Sequence, residues 1–281
     1  MLLHTVIMTT RRVLMAQPLP WWLRAIFVLV AAQALLLVAA FFQPPLISLL
    51  VPWPASPLNA RFIAAIYTAL GLGVLLCSVA RSFREVRIVL FGIGFATGLL
   101  FLLTLYRMIV FPGELTKFPL FWMLFYLIDP LLVAFSFWRL GGRDKAPSEP
   151  NPLALIWIVQ AVILGFFGLL LLFFTSAAIN IWPWAMTVQL SQLYSGFAIS
   201  LCIVSAMAAR EPRWEGVRLL AFIFATLAVL VLIVSVVHIN RFKSDASTVI
   251  WFVFFAAEAI VFGGLLIIHL VRRPSLKGAI S

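Results

Sequence analysis

Eight stretches of this chain stay apolar for about 20 residues or more, the length a helix needs to cross the hydrocarbon of a bilayer. They are Trp22–Phe42, Leu58–Ala80, Ile88–Phe111, Phe118–Trp138, Leu153–Thr175, Ala185–Ala208, Val217–His238 and Ser247–Val271. Lipid offers no hydrogen bonds, so a spanning segment must satisfy its own backbone, and a helix does so locally. The chain therefore reads as all-α: a polytopic transmembrane bundle of eight helices. Composition agrees. The chain is 64% hydrophobic and 10% charged, against about 45–50% and roughly 25% in soluble domains.

The charged residues set orientation. Of the 20 Lys and Arg, those on one side of the expected membrane are Arg11, Arg12, Arg24, Arg81, Arg84, Arg87, Arg139, Arg143, Lys145, Arg210, Arg213, Arg218, Arg272, Arg273 and Lys277. The other side holds Arg61, Arg107, Lys117, Arg241 and Lys243. Basic residues favour the cytoplasmic side, so the reading is a plasma-membrane protein with both termini cytoplasmic. The net charge of +11 is spread between apolar runs and forms no single patch, which argues against a nucleic-acid partner. The partner it implies is the lipid bilayer.

Trp and Tyr favour the two interfaces. Trp21, Trp22, Trp138, Trp157 and Trp214 are expected towards the inner face, and Trp53, Trp182 and Trp184 at the outer one. Two outer connections are rich in Pro or Trp: Gln43–Pro57, with five prolines, and Ser176–Trp184, with Ile181-Trp182-Pro183-Trp184. Both are expected to lie along the outer surface.

An internal repeat divides the chain. Arg81 and Arg84 match Arg210 and Arg213, and Phe95-Ala96-Thr97 matches Phe224-Ala225-Thr226. Trp122, Phe125 and Asp129 match Trp251, Phe254 and Glu258, all at one offset of 129 residues. Pro52-Trp53 matches Pro183-Trp184 after a two-residue shift. The expected units are residues 1–140, a cytoplasmic linker at 141–152, and residues 153–281. Four helices per unit bring both copies into the membrane in the same sense, as in parallel-repeat transporters. The Ile-Trp-Pro-Trp segment and the basic Arg210–Arg218 loop resemble those of uncharacterised bacterial multi-pass membrane proteins with a tandem four-helix repeat. That resemblance implies no activity.

The matching W-x-x-F-x-x-x-[D/E] stretches carry the candidate site. Positions i, i+3 and i+7 share a helix face, so Trp122, Phe125 and Asp129 form one stripe and Trp251, Phe254 and Glu258 another. An acid inside an apolar span is expensive and points to function, here proton coupling or cation binding. The competing reading is a hydrogen bond that ties two helices together. Pro130 removes a backbone N–H beside Asp129 and frees the Tyr126 carbonyl. Gln33, Thr97, Gln160 and Thr226 are candidates for the same polar layer. Arg107 and His238, at outer helix ends, could attract an anion, pair with Glu114 and Asp245, or snorkel.

Cys77 and Cys202 sit in apolar runs and read as packing residues. No Ser/His/Asp set, HExxH, P-loop or GxGxxG occurs in the sequence. His238 and His269 fall near opposite faces, too far apart to ligate one haem. No catalytic residue, metal site or cofactor is assigned. Three classes follow, in this order: a transporter or binder of a small molecule, ion or proton; a structural subunit of a membrane complex or oligomer, with the acids as glue; and an intramembrane enzyme using the two carboxyls as an acid/base pair.

Overall fold

The computed structural model describes residues 18–46, 55–111, 120–141 and 151–271. Helices dominate: α1 Trp21–Leu35, α2 Val38–Phe42, α3 Pro57–Cys77, α4 Phe83–Val110, α5 Leu120–Leu140, α6 Ala154–Phe173, α7 Thr175–Ile181, α8 Val188–Ala209, α9 Trp214–Val237 and α10 Ala246–Val271. Among the described residues, seven of these are long and apolar enough to cross a membrane. The first expected span is the exception. α1 ends at Leu35, and Leu36 and Leu37 separate it from α2. Both residues keep right-handed helical angles, and Leu37 N donates to Ala34 O rather than four residues back. One turn has tightened to the i→i+3 spacing, which splits the run without reversing the chain.

The packing has a simple plan. α3, α4, α8 and α9 form the middle, with α3 and α4 each packed on α9 and α4 also on α8. One outer helix leans on each: α1 on α3, α5 on α4, α6 on α8 and α10 on α9. Small residues permit the closest approaches. A Cβ on Gly73 of α3 would lie 2.2 Å from Ile223 Cγ1 of α9, and one on Gly94 of α4 would lie 2.8 Å from Val133 of α5. In lipid such backbone proximity is a main source of helix association.

Polar contacts close both ends. At the end carrying the arginine-rich loops, Arg24 donates to the carbonyls of Ser78 (2.6 Å) and Ala80 (2.9 Å), and Asn151 donates to those of Ala208 (2.8 Å) and Ala209 (3.2 Å). Each caps a helix whose last carbonyls have no partner of their own. Two ion pairs cross between the chain's halves here: Arg87 with Glu211, and Arg218 with Glu85. At the opposite end Arg61 meets His238 at 2.7 Å, and Arg107 Nε donates to Gln192 Oε1 at 2.8 Å. Arg107 is buried, so it does not snorkel; a side-chain amide on the neighbouring helix takes the place of water. Asp245 turns to its own chain, accepting from Ser247 N at 2.9 Å, and Glu114 lies outside the described residues.

The tryptophans divide. Trp21 and Trp138 are exposed, as interfacial residues should be. Trp157, Trp182 and Trp184 are buried against other rings. Trp157 packs against the stacked pair Phe224 and Phe262. After α7 the chain bends at residues 182–184 and folds both indoles inward, where Trp184 and Trp251 lie 4.8 Å apart and Trp182 and Trp251 5.3 Å apart. Ring-on-ring contacts cover these three indoles inside the bundle. Pro52 and Trp53 lie outside the described residues, as does most of the linker.

Candidate functional site

α5 presents Trp122, Phe125 and Asp129 to one cavity, and α10 presents Trp251, Phe254 and Glu258 to another. The i, i+3, i+7 spacing accounts for each stripe. The first cavity, about 100 Å³, lies between α1 and α5 and is backed by α3, α4, α8 and α9. The second, about 630 Å³, lies between α6 and α10 and is backed by α3, α8 and α9. The two acids therefore do not share a chamber. Phe197 and Leu201 of α8 contribute to both walls.

The acids also differ in their partners. Asp129 is 5% exposed and Glu258 6%. Glu258 Oε1 accepts from Gln160 Nε2 at 2.5 Å, which ties α10 to α6. Asp129 has no hydrogen-bond partner among the described residues. Gln33 lines the first cavity with Asp129 but is not bonded to it. Thr97 also lines that cavity, with its hydroxyl donating to Ile93 O at 2.8 Å. Thr226 is half-buried on α9 and lines neither cavity. A threonine can satisfy itself on its own helix, so it need not reach across the membrane to an acid.

Two polar groupings have no counterpart in the sequence reading. Tyr67 and Tyr126 share a hydrogen bond of 2.7 Å between their hydroxyls, and both line the first cavity. Tyr126 stands three residues before Asp129 and so on the same face; periodicity alone places it in the stripe. Asn59 is the second. Its Oδ1 accepts from Trp184 Nε1 (2.8 Å) and Tyr194 OH (3.0 Å), while Nδ2 donates to Ser56 Oγ (3.0 Å). A lone amide near the start of an apolar run was the available signal. Trp251 Nε1 donates to Ser235 Oγ at 2.9 Å, locking the indole that walls the second cavity.

The arrangement offers a buried carboxyl, two phenols and an amide around a small aromatic chamber, and a larger apolar cleft whose acid is already engaged. Neither protein-family models, characterised proteins nor solved structures yield a match to this chain.

Proposed function

We propose that the chain is an eight-span plasma-membrane protein built from two tandem four-helix halves, with both termini cytoplasmic. Its role is to bind or carry a small apolar or cationic molecule, with Asp129 as an ionisable group. The observation that carries the role is the Asp129 carboxyl: buried, facing a cavity, and without a hydrogen-bond partner among the described residues. A structural acid would be expected to have found one, since an unsatisfied buried group costs roughly 1–3 kcal/mol or more.

Contacts favour the repeat. Exchanging each helix for its counterpart four spans on turns α1 on α3 into α6 on α8, α5 on α4 into α10 on α9, and α3 on α9 into α8 on α4. Arg61–His238 and Arg107–Gln192 exchange in the same way at the level of helices. Orientation rests on the split of basic residues. Cysteines introduced at Ser56 and Ala177, both exposed, should react with a membrane-impermeant thiol reagent in intact cells, and one at Ser148 should not; the opposite pattern reverses the orientation.

The bond from Gln160 to Glu258 favours a second reading for the other half, in which that acid is interhelical glue. Infrared titration separates the two roles. The carbonyl band of a protonated carboxyl should titrate with pH in the wild type, and Asp129→Asn should remove it while leaving folding intact. Glu258→Gln should keep the Asp129 band. A pH-dependent band that survives Asp129→Asn unchanged would mean Asp129 does not ionise, and the binding reading fails.

A further inference from the structure

The first cavity is specific enough to name its guest. Its volume of about 100 Å³ is smaller than the roughly 150 Å³ that admits a benzene ring, so the guest has few heavy atoms. Its walls include Tyr67, Trp122, Phe125, Tyr126 and Phe197, and among the described residues no Lys, Arg or His lines it. An anion would meet the Asp129 carboxylate with nothing to offset it. A neutral apolar guest would leave that carboxylate buried and unpaired, the costly arrangement. A hard metal cation wants six or more oxygen ligands, and no group of three His, Cys, Asp or Glu that could hold a metal occurs among the described residues.

We infer that this cavity is a binding site for a small primary ammonium ion, with Asp129 as its counter-ion. The inference rests on the reading of Asp129 as an ionisable group. An alkylammonium suits both kinds of wall. Its charge is stabilised over the faces of Trp and Tyr rings, and its three N–H groups need three acceptors. Asp129, Gln33 and the hydrogen-bonded Tyr67 and Tyr126 are the polar residues along this largely apolar wall from which the ammonium would draw them. A quaternary ammonium has no N–H to donate and is bulkier. The second cavity does not share this chemistry, because Gln160 already occupies its acid.

The test uses the full-length protein in nanodiscs and radiolabelled methylammonium. Wild type should bind it saturably at alkaline pH. Ethylammonium should compete, while tetramethylammonium and ethanol should not. Acidification should weaken binding, because a proton competes for the same carboxylate. Asp129→Asn should weaken binding at least about tenfold, the scale of a lost charge-assisted hydrogen bond, and Glu258→Gln should leave it within about twofold. Tyr126→Phe, which keeps the ring and removes the hydroxyl, should weaken it by a smaller factor. Absent saturable binding, unchanged binding in Asp129→Asn, or equal competition by tetramethylammonium each overturns the inference; the competition series needs no variant to fold. If methylammonium does not bind but the Asp129 infrared band still titrates, the guest class is wrong and the ionisable site stands. If both are absent, both readings fall together.

Discussion

Single polar residues hold this apolar protein to one arrangement, and Asn59 is the clearest of them. One amide accepts from an indole and a phenol on the far side of the chain and donates to the serine that caps its own helix. Asn59→Leu would strand the buried Trp184 N–H and Tyr194 hydroxyl at once. We expect a loss of about 2–4 kcal/mol, from roughly 1–3 kcal/mol per stranded group less what repacking recovers, read as a lower melting temperature in detergent. His238 supplies a pH dependence. It follows the last residue of α9, and its pKa lies below the ordinary histidine value because of partial burial, then the charges of Arg61 and Arg241. Arginine only donates, so the ring nitrogen 2.7 Å from Arg61 must accept, and His238 is neutral when this contact exists. The unfolded chain therefore takes up the proton first as pH falls. This contribution to stability is complete above about pH 6.5, the unperturbed value, and declines as pH drops from there towards the lower folded-state value. Melting temperature measured across that range should fall on acidification, and His238→Gln, which keeps an acceptor without titrating, should flatten the slope.

At the level of helices, small residues decide which backbones meet. At Gly73 α3 and α9 approach closely, and a methyl there would overlap Ile223. Gly73→Ala should destabilise by about 1–3 kcal/mol, the usual cost of overpacking. Adding Ile223→Ala should recover part of the loss, because the overlapping atoms are gone. A thermal double-mutant cycle checks the coupling, and independent effects would mean the two helices have already moved apart there. The stripe on α5 obeys simple periodicity, so the shared face of Trp122, Phe125 and Asp129 was legible from spacing, but the cavity it meets was not. The split between α1 and α2 was not. Trp22–Phe42 contains neither Pro nor Gly, so nothing local marks Leu36 as a break.

The whole molecule is interlocked. α3 rests on α9 and α8 on α4, so the central helices of each half pack against those of the other. The crossing ion pairs bind the halves again at one end. Residues 1–140 or 153–281 produced alone should therefore give no stable monomeric bundle, while the two co-expressed should copurify. Recovery of either piece alone with a cooperative melt would contradict the interlocking.

What the sequence determined by itself follows from chemistry that acts along a single chain. Apolar length dictated membrane helices, basic loops divided the two ends, and a 3.6-residue period aligned Trp122 with Asp129 and Trp251 with Glu258. Tertiary structure decided everything that depends on which helix lies beside which. Trp157, Trp182 and Trp184 went inward because other rings were there to meet them. Arg107 found Gln192 instead of headgroups. Two acids that end like-spaced Trp-Phe stripes acquired different surroundings, since Gln160 reaches Glu258 while Gln33 is not bonded to Asp129. A partner across a helix interface is set by distances between segments far apart in the chain, and no pattern read along one helix contains them.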